Sequence, residues 1–285
     1  MALSSLGQRV ATTAALVPVV LAALLLMPPR AWALATLVIV AAAAGEWARL
    51  ARVRRGVEIA FVAIVVGIAL ALLYVGALGF EHGWPDRLVV IVCGTAALFW
   101  MVIAPAWLAR GWSTAHPVAM MPIGALVLIA TWIAIVELQA RSPWLVLAAM
   151  AVVWIADTAA YFTGRRFGRR KLAPQISPNK SWEGVWGGLA AVALYSLALA
   201  PWAPEAGYAG SRGAAPLVAF VLLAVALAAI SVVGDLYESL LKRQAGVKDS
   251  GALLPGHGGV LDRIDALLSA MPVAAVAATL VLEKA

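Results

Sequence analysis

Residues 59–78 read I-A-F-V-A-I-V-V-G-I-A-L-A-L-L-Y-V-G-A-L, an unbroken apolar run without a single charge. At a helical rise of 1.5 Å per residue this length covers about 30 Å, the thickness of a bilayer's hydrocarbon core. A strand of a membrane barrel would alternate polar and apolar positions, and this run is apolar on every side. In lipid the backbone must satisfy its own hydrogen bonds, so the segment reads as a spanning helix. Similar runs recur through all 285 residues, of which 64% are hydrophobic and 12% charged, with a mean hydropathy of +0.95. Soluble domains and barrels are both excluded, and an all-α, polytopic helical membrane protein is expected.

Nine spans are predicted, at about residues 10–28, 31–47, 57–79, 88–109, 118–138, 143–163, 184–203, 215–235 and 267–283. The second is short for a spanning helix, with only fifteen residues from Ala31 to Gly45 in its apolar stretch against the roughly 17 to 25 such a helix needs. Charge supports it. With the N-terminus in the cytoplasm, Arg9, Arg49, Arg52, Arg54, Arg55, Arg110, Arg165, Arg166, Arg169, Arg170, Lys171, Lys180, Lys242, Arg243, Lys248 and Arg263 all fall inside. Only Arg30, Arg87, Arg141, Arg212 and Lys284 fall outside, as the positive-inside rule requires. Arg9 followed by an apolar run and Ala31-Trp32-Ala33 resembles a secretory signal, but Val10–Met27 exceeds the roughly 7 to 15 residues of a signal core.

The net charge of +7 and pI near 10.0 follow from those cytoplasmic loops, so no nucleic-acid partner is implied. Cys93 is the single cysteine, which excludes an intrachain disulfide and a cysteine-based metal site. The chain reads as one membrane domain: residues 1–140 form a helical scaffold and residues 141–285 carry the chemistry. In the first part Glu46 and the arginines after it read as topology signals or as an entry surface for anionic lipid.

Chemistry-bearing residues concentrate in three places. Asp157 lies within the sixth span, about seven residues or ~10 Å from Gly164, where a carboxylate costs roughly 2.5 to 3.5 kcal/mol to insert and marks either a wet cavity or a structural ion pair. Asp235, Glu238 and Lys242 share one helix face at i, i+3 and i+7, with Ser239 beside it. Asp262 and Asp265 project together from the start of the last helix, where the macrodipole favours acids; beside Asp235 they would suit a magnesium ion whose shell substrate phosphates complete. Between these helices lie Arg243, Lys248 and Asp249, then Pro255-Gly-His-Gly-Gly259, whose backbone can approach an anion, and Arg263. His257 has three readings: a donor to phosphate, a structural side chain, or a proton shuttle. Ser177-Pro-Asn-Lys180-Ser181-Trp-Glu183-Gly offers hydroxyls, a lysine and a carboxylate at a helix start, suited to phosphate contacts or to a plain helix cap.

The chain resembles the phosphatidate cytidylyltransferase family, also called CDP-diacylglycerol synthase. The resemblance rests on Ser239-x-Leu-Lys-Arg-x4-Lys-Asp-x-Gly-x2-Leu-Pro-x-His-Gly-Gly-x2-Asp-Arg-x-Asp265, which looks like the family's full signature. Gln8-Arg9-Val, Asp157-Thr-Ala-Ala-Tyr161, Ser177-Pro-x-Lys-Ser-Trp-Glu183-Gly and Gly234-Asp-Leu-x-Glu-Ser239 extend it over the chain. Asn179 departs from the lysine common in relatives.

The resemblance implies magnesium-dependent conversion of CTP and phosphatidic acid into CDP-diacylglycerol and pyrophosphate, at the cytoplasmic face of a bacterial inner membrane, in phospholipid biosynthesis. Asp235, Asp262 and Asp265 would hold one or two divalent cations. Lys242, Arg243, Lys248 and Arg263, with His257 and Asp249, would form the catalytic group. Asp157, Ser177, Lys180, Ser181, Glu183, Glu238, Ser239, Gly258 and Gly259 would bind the substrates. A homodimer is expected by family analogy alone. Two other readings use the same charges: a CTP-dependent transferase or kinase for an isoprenoid lipid, and an ion-coupled transporter with Asp157 and Asp235 as its carrier site.

Overall fold

In the computed structural model the described residues are 5–76, 83–113, 116–200, 214–253 and 258–281. The helices are α1 (Ser5–Leu26), α2 (Pro29–Leu50), α3 (Arg55–Val75), α4 (Asp86–Arg110), α5 (Pro117–Arg141), α6 (Pro143–Phe167), α7 (Trp182–Leu199), α8 (Ala214–Ala245) and α9 (Leu261–Val281). Among the described residues, α2 to α9 supply eight segments long and apolar enough to cross a membrane, and α1 adds a shorter apolar stretch, Val17–Leu26. The protein is an all-α polytopic membrane protein. Among the described residues the strands form one hairpin, β1 (Lys171–Ala173) paired antiparallel with β2 (Ser177–Ser181), inside the segment expected to be loop.

Helix boundaries follow local chemistry. Proline occupies the first turn of α2, α5 and α6, where its missing N–H would have no intrahelical partner. α4 is interrupted by a π-turn at Phe99–Ile103, and two residues later Pro105 lacks the N–H an unbroken helix would use. The wide insert turns Phe99 and Trp100 onto Tyr237 of α8, which is fully buried among Trp47, Phe99, Trp100 and Trp107.

α9 is the hub, packing on α8, α5, α4 and α6, so the scaffold helices touch those that carry the signature. Trp47 of α2 donates its indole N–H to the Met120 carbonyl of α5 at 2.9 Å, and Trp132 of α5 donates to the Ala33 carbonyl of α2 at 3.0 Å. α6 and α7 come closest through glycine: a β-carbon at Gly184 or Gly188 would lie 2.8 Å from the Ala160 or Ala156 carbonyl oxygen. Small residues give helices in lipid their van der Waals contact, since burying apolar surface there gives no advantage over lipid tails.

Contacts between helix ends sort the loops onto two faces. On one face, Gln244 at the end of α8 donates to the Trp112 carbonyl after α4, Arg243 donates to the Ile176 carbonyl of the hairpin turn, and Glu46 near the end of α2 reaches the segment before α9. On the other, Gln139 near the end of α5 donates to the Leu24 and Met27 carbonyls at the end of α1, while Arg141 pairs with Glu137 at 2.7 Å and Asp86 at 3.1 Å. The loops after α2, α4, α6 and α8, which with the adjoining helix turns hold most of the basic residues, thus share one face.

Candidate active site

Three segments meet on this basic face: the β2 end of the hairpin, the last turns of α8, and the loop from residue 246 into α9. α8 does not stop where its apolar run ends but continues to Ala245, carrying Asp235, Glu238, Ser239, Lys242 and Arg243 on a single rigid element. α9 begins at Leu261, so Asp262 and Asp265 occupy its first turns.

Lys180 of β2 forms an ion pair with the Asp235 carboxylate of α8, each side chain about a quarter exposed. The Ser239 hydroxyl, one turn on, donates to the other Asp235 oxygen at 3.4 Å. The charge of Asp157 acts on the same pair, which brings α6 into the site although its carboxylate belongs to the exposed surface. Hairpin, α6 and α8 therefore converge on Asp235.

The second centre is Lys242. Its ammonium lies 2.5 Å from Glu238 Oε2 and 2.7 Å from Asp262 Oδ1, all three side chains being largely buried. Asp262 is committed elsewhere as well: its Oδ2 accepts the Ser250 N–H at 2.9 Å and the Gly259 N–H at 2.8 Å, and lies 3.0 Å from the Ser250 hydroxyl, whose one proton it shares with Glu46 Oε2 at the same distance. Gly258 has φ of +81°, and a β-carbon there would lie 2.7 Å from Asp262 Oδ2, so glycine allows the chain to fold over this carboxylate. Asp265 accepts the Ala266 N–H at 2.8 Å, and its charge interacts with those of Asp235 and Glu238.

The residues brought together are thus Asp157, Lys180, Asp235, Glu238, Ser239, Lys242, Asp262 and Asp265. Arg243, Lys248, Asp249 and Arg263 are exposed, on the same segments that carry these residues. His257 lies outside the described residues. Ser177 begins β2, opposite Ala173. Ser181 is a helix cap, its hydroxyl accepting the Gly184 N–H at 3.2 Å, and Glu183 accepts the Arg169 and Arg170 N–H groups at 3.0 to 3.2 Å. These two side chains close the hairpin onto α7. Gly259 is buried beside Ser250 and Glu46.

A cation site can be tested against this donor set. Among the described residues no three acidic, histidine or cysteine side chains are grouped so as to hold a metal ion by themselves. Asp262, expected among the ligands, has both oxygens engaged by Lys242 and the loop. Asp235 and Asp265 are hard oxygen donors whose charges act on each other; Asp235, like Asp262, has both oxygens taken, by Lys180 and Ser239, so either would release a partner on taking a cation, and magnesium, which keeps waters and takes phosphate oxygens, needs few carboxylates.

Glu46 was not foreseen as part of this region. Read from sequence it belongs to a surface near arginines; in the structure it is 1% exposed and accepts the Val260 N–H at 3.0 Å and the Leu261 N–H at 2.8 Å. A charge one turn before the end of an apolar helix, with Gly45 before it, was the available signal. Sequence alone gave it no partner 204 positions away.

A cytidylyltransferase family model matches residues 7–281. A phosphatidate cytidylyltransferase of Haemophilus influenzae is 37% identical over 283 residues, covering 94% of this chain and 96% of the relative. One from Pseudomonas aeruginosa is 40% identical over 275 residues, covering 94% and 95%. One from Thermotoga maritima is 45% identical over 120 residues, covering 42% and 43%.

Proposed function

Because this chain belongs to the cytidylyltransferase family, we propose that it converts CTP and phosphatidic acid into CDP-diacylglycerol and pyrophosphate, acting at the cytoplasmic face of a bacterial inner membrane with its N-terminus inside. The observation that carries this reading is the pairing of two lysines with carboxylates at the mouth of one helix bundle, Lys180 with Asp235 and Lys242 with Glu238 and Asp262. An oxygen of the lipid phosphate attacks the α-phosphorus of CTP; the new P–O bond forms as the bond to the β-phosphate breaks, and pyrophosphate leaves. The attacking oxygen is already anionic, so charge neutralisation and alignment are the main demands and a general base is dispensable.

Lys180 and Lys242 exchange a carboxylate partner for phosphate oxygens as the substrates bind, and the exposed Arg243, Lys248 and Arg263 offset the charge of CTP and pyrophosphate. Ser177 and Ser239 offer hydroxyl donors at the edge of the site. Asp157 extends the polar region into the bilayer, where the lipid headgroup enters.

Two anionic substrates beside this many carboxylates need added positive charge. Two like charges ~4 Å apart repel by about 4 kcal/mol at an effective dielectric constant of ~20. Magnesium supplies that charge when bound, and Asp235, Asp262 and Asp265 are the residues that would hold it; Asp262 also fixes Lys242 and the loop. The homodimer expected by analogy rests on the family alone.

The reaction is tested by supplying detergent-purified protein and labelled CTP with phosphatidic acid, an isoprenoid alcohol or an isoprenoid phosphate, with and without magnesium. Label entering lipid with phosphatidic acid and magnesium supports the proposal. Label entering only an isoprenoid acceptor, or no lipid at all from folded protein, contradicts it.

A further inference from the structure

Glu46 of α2 sits outside the signature, yet it holds both ends of the signature loop. The Ser250 hydroxyl lies 3.0 Å from Glu46 Oε2, the Val260 N–H donates to Oε1 at 3.0 Å and the Leu261 N–H to Oε2 at 2.8 Å. The last two are among the N–H groups that a helix start leaves without intrahelical partners. A buried carboxylate from another helix thereby caps α9 immediately before Asp262 and Asp265, where its charge also suits the helix dipole. The loop is shaped to admit it: a β-carbon at Gly251 would lie 2.4 Å from Glu46 Oε1, and one at Gly259 2.5 Å from Oε2. Arg49 and Arg55, the nearby cations, are both directed at Glu58, each at 2.8 Å, so the bonds to Glu46 come from the loop and the start of α9.

The same Ser250 hydroxyl lies 3.0 Å from Asp262 Oδ2, and Asp262 Oδ1 lies 2.7 Å from Lys242. A continuous polar chain therefore runs from Glu46 through Ser250 and Asp262 to Lys242 and Glu238. We propose that Glu46 is a positioning residue for the transfer reaction, anchoring the signature loop and the start of α9 so that Asp262 holds Lys242 at the reacting phosphates. Its catalytic consequence rests on the function proposed above; the anchoring itself does not.

Glu46→Gln retains size but turns an amide N–H toward at least one donor it formerly accepted. Hydrogen exchange of the full-length protein in detergent reads the anchor directly: the Val260 and Leu261 amides exchange at least tenfold faster in the variant, and unchanged exchange overturns the anchor whatever reaction the protein catalyses. With CTP and phosphatidic acid, misplacement of Lys242 lowers kcat by roughly 10- to 100-fold while KM for each substrate stays within about threefold. A wild-type kcat overturns the positioning role. Glu58→Gln removes a buried carboxylate outside the chain of contacts, and it lowers thermal stability while keeping kcat; an equal loss of kcat there reduces Glu46 to general packing and overturns the proposal. Should Glu46→Gln fail to fold, Ser250→Ala cuts the same chain without removing a buried charge, and the same fall in kcat is expected, with normal turnover contradicting it. Absence of any CDP-lipid from the wild-type protein defeats the proposed function and leaves the exchange result standing.

Discussion

Lys242 at the end of α8 and Asp262 at the start of α9 lie 2.7 Å apart, although a loop of fifteen residues separates the two helices. That contact joins the last two helices at the mouth of the site and sets where the lysine points. Removing one member of a largely buried charge group leaves the others uncompensated, at about 3 to 5 kcal/mol. Lys242→Met is therefore predicted to lower stability by about that amount and to abolish turnover. The double variant Lys242→Met/Asp262→Asn is expected to regain part of the stability and none of the activity, measured by thermal unfolding in detergent alongside CDP-lipid formation. Activity in either variant would contradict the role given to the lysine.

Asp235 and Asp265 are two of the carboxylates proposed to hold a divalent cation. Asp265→Asn and Asp235→Asn are predicted to remain folded and membrane-inserted while losing magnesium-dependent turnover. A magnesium titration of rate checks this: a normal response in either purified variant rules that residue out as a ligand.

Lys180 reaches Asp235 from the hairpin, so its substitution tests whether that hairpin belongs to the site. Lys180→Ala is expected to raise KM for at least one substrate or to lower kcat, by roughly tenfold or more for loss of a charge-assisted phosphate contact. Unchanged constants for both CTP and phosphatidic acid would leave the hairpin as a topology signal.

The close approach of α6 and α7 is a packing prediction. A β-carbon at Gly188 would meet the Ala156 carbonyl oxygen at 2.8 Å, and backbone cannot move aside as a side-chain tip can. Gly188→Leu is predicted to cost about 1 to 3 kcal/mol by overpacking, and to depress activity because Asp157 and the hairpin flank that contact. A variant with wild-type unfolding temperature would show that the two helices separate freely.

The helical class was legible because lipid forces apolar runs into helices, and the crowding of charge after residue 150 pointed to the signature region. The extension of α8 to Ala245 was legible too, since Asp235, Glu238 and Lys242 share one helical face. What sequence could not supply was pairing over distance. Ser177 to Ser181 read as a loop leading to a helix cap; Ser181 is that cap, but the strand before it forms only because Lys171–Ala173 lies opposite. Asp262 reads from its spacing as a metal ligand beside Asp265, and that spacing carried no sign of the bonds it accepts from Ser250 and Gly259 across the loop. Glu46 read as surface charge because nothing local announces a partner near residue 250.

The most direct measurement follows phosphorus. Purified protein in detergent or liposomes is given phosphatidic acid, magnesium and CTP labelled at either the α- or the γ-phosphate. The account predicts that α-label enters the lipid as CDP-diacylglycerol, that γ-label leaves as pyrophosphate, and that Asp265→Asn does neither. Transfer of γ-label to the lipid would identify a kinase, and label entering no product from folded wild-type protein would contradict the reaction itself.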